Sequence, residues 1–214
     1  MTKDQITATI AEHTKWLRCK GGKRAVLRGS DLSGANLSYS DLSGANLRGS
    51  NLRGANLRGS NLRGANLRGS DLSGSDLSGS NLRGANLSYS DLSGSDLSGS
   101  DLSGANLSYS DLSGANLSGS NLRGSDLSDS NLRGAKINDK TALGIIRRAT
   151  RADGYEFFLW QCEGGFFIKA GCRFMDMETA RQHWTNTRAG TPLGAESQDI
   201  LDFFAAAIAK ATGD

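Results

Sequence analysis

Proline is nearly missing from this sequence, with 1 residue in 214, and aromatic residues make up only 7%. Histidine occurs twice, as His13 and His183, on separate terminal segments. That supply is too thin for acid–base chemistry built on histidine, and no enzyme is expected. The three cysteines, Cys19, Cys162 and Cys172, show no CxxC pairing. An odd, unpaired set suits a reducing compartment, so a cytoplasmic chain is expected. Cys162, Cys172 and His183 lack zinc-site spacing, and Cys172 with His183 has no third group to orient a nucleophile–base pair. Neither a metal nor a cofactor is expected. No apolar run nears the roughly 18 residues that cross a bilayer, and MTKDQITATI lacks the layout of a signal peptide, so no membrane role is expected. Asn36, Asn86, Asn106 and Asn116 each begin an Asn-Leu-Ser sequon, which matters only in a secreted chain. A formal net charge of +3 makes no case for nucleic acid.

What the chain has in abundance is a five-residue period. Leu recurs 22 times without a miss from Leu27 to Leu132, and Ile137 takes the next place. Two residues before each stands Ala or Ser, from Ala25 to Ala135. The residue before Leu is Asp or Asn, apart from Val26 and Lys136. The one after it is Arg or Ser, apart from Asn138. The fifth is Gly, apart from Tyr39, Tyr89, Tyr109, Asp129 and Asp139. High Gly and Ser would ordinarily mean disorder, but a strict period marks a repeat architecture.

Five fits neither the helical period of 3.6 nor the strand period of 2. It fits a chain that turns a corner every five residues, with Leu and the small residue inside and the other three outside. Coils of this kind stabilise one another by stacking. The small inward residue is a steric need, since a second large one per side would overfill a narrow tube.

The tandem (Ala/Ser)-(Asp/Asn)-Leu-(Arg/Ser)-Gly units resemble the pentapeptide-repeat family over residues 25–139. The resemblance implies a mainly β fold, a right-handed quadrilateral β-helix with four units per coil. Residues 1–24 would form an N-terminal capping helix and residues 140–214 an α+β cap or dimerisation segment. At ~4.8 Å per layer the tower would be roughly 28 Å tall. Residues 20 apart then stack, so Arg28, Arg48 and Arg68 share a column, as do Asp71, Asp91 and Asp111, and Tyr89 lies over Tyr109. Arg48, Arg53, Arg58 and Arg63 make one coil cationic on all sides. These residues form the candidate interaction surface. Asp before Leu, from Asp31 to Asp126, occurs only in Ser-Asp-Leu-Ser units, and Arg after Leu never shares a unit with such an Asp. That grammar fits a very recent expansion or a consensus design between natural ends, and design is favoured.

At the N-terminus, Thr2 to Gln5 reads as a capping box, and Ile6, Ile10 and Leu17 recur at near-helical spacing. Trp16 beside Leu17 is expected to cover the first coil, with Gly21 and Gly22 ending the helix. Beyond Lys140, residues 155–160 and 166–168 read as strands joined by a turn at Glu163 to Gly165. Pairing across it sets Cys162 opposite the start of the second strand, which disfavours a Cys162–Cys172 disulfide. Asp176 reads as the cap of a helix running to about Thr187 that buries Met177, Ala180 and Trp184. Ile200, Phe203, Phe204, Ala207 and Ile208 line another helix. Residues 154–157, 170–174 and 180–184 look like C-terminal segments of some bacterial and phage pentapeptide proteins. Phe157, Phe158, Trp160, Phe166, Phe167, Trp184, Phe203 and Phe204 are the candidate cap or homodimer surface.

A non-enzymatic scaffold or protein-interaction solenoid with an unknown partner is the expected function. The alternative implied by the family is a DNA mimic that binds DNA gyrase and gives quinolone resistance. A mimic needs a long acidic surface, whereas residues 25–139 hold 11 Asp against 9 Arg and 1 Lys. Ice binding would call for a Thr array, and this block has no Thr.

Overall fold

A computed structural model describes residues 1–138, 140–153, 155–170 and 173–212. From Val26 onward the chain forms isolated parallel bridges between residues 20 apart, such as Asn46 with Asn66 and Asp71 with Asp91. Twenty residues are four units, so each coil stacks on the next one unit-for-unit. Every unit from Ala25 to Gly114 bonds to the next coil in the same way. The Leu47 amide donates to Asn66 O (2.7 Å), Gly49 to Arg68 O (3.0 Å), and Asn66 to Ala45 O (2.9 Å). A tight turn closes each corner, with Ser50 N donating to Leu47 O at 3.1 Å. The fifth residue takes a positive φ, near +63° at Gly49, a region that glycine enters without penalty. Tyr39, Tyr89, Tyr109 and Asp129 hold the same conformation at φ 57, 61, 57 and 54. The repeat leucines are buried, and together they form the core column.

The polar positions explain themselves locally. The Asp or Asn before Leu accepts the amide two residues on through Oδ1, as Asn46 does from Arg48 (3.2 Å) and Asp71 from Ser73 (2.9 Å). Inward Ser hydroxyls donate to a Leu carbonyl, as Ser75 does to Leu72 at 2.7 Å. The buried hydroxyls are thereby satisfied at most rungs.

The N-terminal end carries α1 (Lys3–Leu17), which has the expected capping box between Thr2 and Gln5. Ile6 and Ile10 pack on the core, but Trp16 does not; it is 41% exposed. Helical spacing from Ile6 and Ile10 leads to His13, and His13 takes the inward place. The helix also ends earlier than its glycines suggest, because Cys19 already has φ 52.

At the other end a five-stranded antiparallel sheet runs in the order β1 (Lys136–Ile137), β2 (Lys140–Thr150), β3 (Glu156–Cys162), β4 (Gly165–Ala170), β5 (Arg173–Asp176). The β3–β4 hairpin matches the sequence reading, with Cys162 opposite Gly165. β2 and β5 were not foreseen. β3 alternates with period two. Phe158, Trp160 and Cys162 pack on the last coil, while Phe157 and Leu159 pack under α2 (Met177–Arg188) and α3 (Pro192–Thr212). Asp176 caps α2 through the Thr179 amide at 2.7 Å. No helix among the described residues is long and apolar enough to cross a membrane.

Candidate interaction surface

The cationic coil is where the spacing puts it. Arg48, Arg53, Arg58 and Arg63 are all exposed, one per side, and Arg68 stands above Arg48. Two coils further on, the corresponding coil carries Asp91, Asp96 and Asp101 and no Arg. Asp71, Asp91 and Asp111 stack by direct bridges, and Asp76 stacks below Asp96. Each carboxylate turns one oxygen back to its own chain. The Asp71 carboxylate accepts both the Ser73 amide (2.9 Å) and the Ser73 hydroxyl (2.6 Å). A serine hydroxyl two residues on reaches the carboxylate in the same way at Asp31, Asp76 and Asp126, and the Asn36, Asn86 and Asn106 carboxamides accept the same bond. At four places an Asn above an Asp bridges the coils with its amide, as Asn61 does to Asp41 (3.1 Å) and Asn121 to Asp101 (3.2 Å).

Tyr89 and Tyr109 stack with centroids 5.0 Å apart and planes 9° apart, and the Arg68 guanidinium lies 5.0 Å from the Tyr89 centroid. Both rings are more than half exposed. The Tyr109 hydroxyl is held above its ordinary pKa, first by its bond to Asp129 and then by that carboxylate's charge. The stack thus has the Arg68 cation at one flank and the Asp129 carboxylate at the other.

Of the eight aromatic cap residues, Phe158 and Trp160 bury against the last coil. Phe157, Trp184 and Phe204 bury on the helix side of the sheet. Phe166 and Phe167 are half-buried, and Phe203 alone stands 50% exposed. His183 sits edge-on to Trp184 (4.9 Å), and burial followed by Arg173 lowers its pKa. Cys172, its suggested partner, lies outside the described residues. Cys162 is buried, and burial raises its thiol pKa to about 11, so it is no thiolate nucleophile.

Sequence reasoning undervalued His13. It is fully buried, its Nδ1 accepts the Ala25 amide at 3.1 Å, and Trp16 stacks on it at 5.4 Å. A lone histidine carries no sequence signal of such a role, although its place on the Ile6–Ile10 stripe does.

No curated protein matches the chain. Among solved structures, a pentapeptide repeat protein from the Arabidopsis thaliana thylakoid lumen is 32% identical, over 47% of this chain and 70% of that one, with a TM-score of 0.46. Rfr23, a pentapeptide repeat protein from the cyanobacterium Cyanothece 51142, is 28% identical over 53% of this chain and 87% of its own, with a TM-score of 0.48. Full-length QnrB1, a plasmid-mediated fluoroquinolone resistance protein, is 23% identical over 56% and 70%, with a TM-score of 0.28. The family model for pentapeptide repeats matches residues 25–64, 60–99 and 100–139, which together cover more than half of the 214 residues. The chain belongs to the pentapeptide-repeat family.

Proposed function

We propose that the chain is a non-enzymatic contact scaffold, a right-handed, four-sided β-helix that offers charged faces to a protein partner. The observation that carries this reading is the exposed Arg48–Arg53–Arg58–Arg63 coil, set two coils below Asp91, Asp96 and Asp101. The large aliphatic side chains of the repeat go inward, so recognition falls mainly to charge order on the outside. The test compares proteins retained by the intact chain with those retained after Arg48, Arg53, Arg58 and Arg63 are each changed to Ser. Serine already occupies that place in many units, so the coil should survive. Partners lost with the four arginines support the reading; an identical set overturns it.

A second reading, a DNA mimic acting on DNA gyrase, draws on the stacked Asp71, Asp91 and Asp111. It stands behind the first because the cationic coil interrupts any acidic track. Absence of both inhibition and protection in a gyrase supercoiling assay at micromolar protein removes it. We also propose a homodimer through α3, with Phe203 as the exposed anchor. A Phe203→Asp chain with the same mass in solution as the unchanged chain sinks that dimer.

A further inference from the structure

The four sides of the tower differ in the order of their charges. On one of them, successive units stacked at 20-residue steps carry Asp41, Arg63, Arg83, Asp101 and Arg123, each Asp just before its Leu and each Arg just after it. The signs run minus, plus, plus, minus, plus. The cassette grammar ties size to sign: Asp units have a short Ser after Leu (Ser43, Ser103), and Arg units have Asn before it. An anionic rung is therefore also a shallow one. At Ser103 and Gly104 the structure has a recess of 450 Å³, lined by Asp101 and Asn121 and flanked by Arg83 and Arg123.

Read from the other end, the order becomes plus, minus, plus, plus, minus. Two copies laid side by side and antiparallel, with Arg83 at the same height in both, oppose Arg63 to Asp101 twice and Asp41 to Arg123 twice. Only Arg83 meets its like. Tall rungs meet shallow ones at the same four places, so Arg63 of one copy enters the recess over Ser103 of the other. Both copies climb by the same coil step, so matching one rung matches them all. A parallel pairing in register would set every charge against its like. The side bearing Asp31, Arg53, Asp71, Asp91, Asp111 and Arg133 comes next, but its best antiparallel register leaves Asp71 against Asp91 twice.

We propose that the Asp41–Arg123 side is a self-association surface that takes a second copy of this chain, antiparallel, through reciprocal Arg63–Asp101 and Asp41–Arg123 pairs. This goes beyond the scaffold reading by naming the partner, and it stands on the charge order of one side alone. Asp41, Arg63, Arg83 and Arg123 are exposed and Asp101 is half-buried. Exposed ion pairs are individually weak and screened by salt, so the association is salt-sensitive and its strength lies in register.

Sedimentation of the full chain tests this. At low salt the chain associates, and it separates as ionic strength rises to about 0.5 M, where charges more than a few ångströms apart are screened. Arg63→Asp sets like charges together at two places, and Asp101→Arg does the same with the opposite sign; each weakens association about tenfold or more. An equimolar mixture of the two variants restores opposite charges at every altered pair and recovers association as a mixed dimer. Both variants leave residues 140–214 untouched, so a dimer through α3 would persist in all samples and cannot imitate this pattern. A chain that stays apart at low salt overturns the proposal without any variant. Single variants that associate like the unchanged chain, or a mixture no better than its components, also overturn it.

Discussion

The two ends of the tower are closed by opposite means. At the N-terminal end a single helix lies across the first coil, touching it through the half-buried Ile6 and Ile10 and the buried His13. Its polar ties are few: the Ala25 amide to His13 Nδ1 at 3.1 Å and the Met1 ammonium to Asp31 O at 3.0 Å. At the C-terminal end the last coil runs into β1 and β2, with Gly134 N bonded to Ala142 O at 2.8 Å. The sheet then lays Phe158, Trp160 and Cys162 on the leucine column, and Lys169 Nζ reaches Ser120 O at 2.8 Å. One end is a lid and the other a continuation of the core. A solenoid needs its terminal rungs covered, but the two covers need not be equally strong.

The largest expected effect follows directly. Phe158→Ala should cost about 3–5 kcal/mol, the usual range for a fully buried Phe in a close-packed core. Ile10→Ala, at a half-buried contact, should cost under about 2 kcal/mol. Urea midpoints at equal slope decide this, and equal losses at both ends would break the comparison.

Acid should find the same asymmetry. Burial is the main cause that lowers the pKa of His13 below its ordinary 6.5; Ser43 and Asp41 push back, while Arg24 adds to the lowering. The folded state favours neutral imidazole, so the unfolded chain binds more protons as pH falls through 6.5. The contribution of His13 is complete above 6.5 and is lost progressively from there down to its lowered folded value. Protonating Nδ1 also removes the acceptor of the Ala25 amide, and an unmade bond of that kind costs about 1–3 kcal/mol. At the other end, Asp126 is held below its ordinary 3.8 by the Ser128 hydroxyl and then its amide, and Asp153 by Arg151. Their stabilisation is complete above 3.8 and fades only below it, so acid reaches the helix first. Emission from Trp16, stacked on His13, should change as pH falls below 6.5. The pKa of His183 is lowered as well, so His13→Gln must remove the change and His183→Gln must leave it.

What the sequence made legible tracks how local the cause is. The period of Leu27 to Leu132 dictates coil length, and the inward Ala or Ser dictates the packing. The carboxamide and carboxylate places follow from a bond only two residues long. β2 was missed because register shifts at Ala142/Gly144 and Ile145/Arg147 break the alternation by which strands are recognised. β5 is only four residues long, too short to carry a pattern. In α3 the sequence offered Phe203 and Phe204 as equals, but neighbours on a helix diverge by about 100°, and only Phe204 could face the sheet. The Arg and Asp columns were placed correctly, whereas the His13 contact depends on how a helix rests on a coil, which no local pattern encodes.

The smallest effect separates rungs of a single inward column. On one inward column, Ser40, Ser100 and Ser120 donate their hydroxyls to Leu37, Leu97 and Leu117 carbonyls at 2.6–2.7 Å. Ser60 and Ser80, between them on the same column, are buried with no partner for Oγ. A buried hydroxyl without a bond forfeits its hydration for nothing, whereas a bonded one contributes about 1 kcal/mol. Ser100→Ala should therefore lower stability by about 1 kcal/mol, a fall of roughly 2–4 °C in Tm for a chain of this size. Ser60→Ala should leave Tm unchanged or raise it, because alanine already fills this inward place at Ala45 and Ala65 without strain. If both substitutions lower Tm equally, Ser60 has a partner as good as that of Ser100, and this column is satisfied along its whole length.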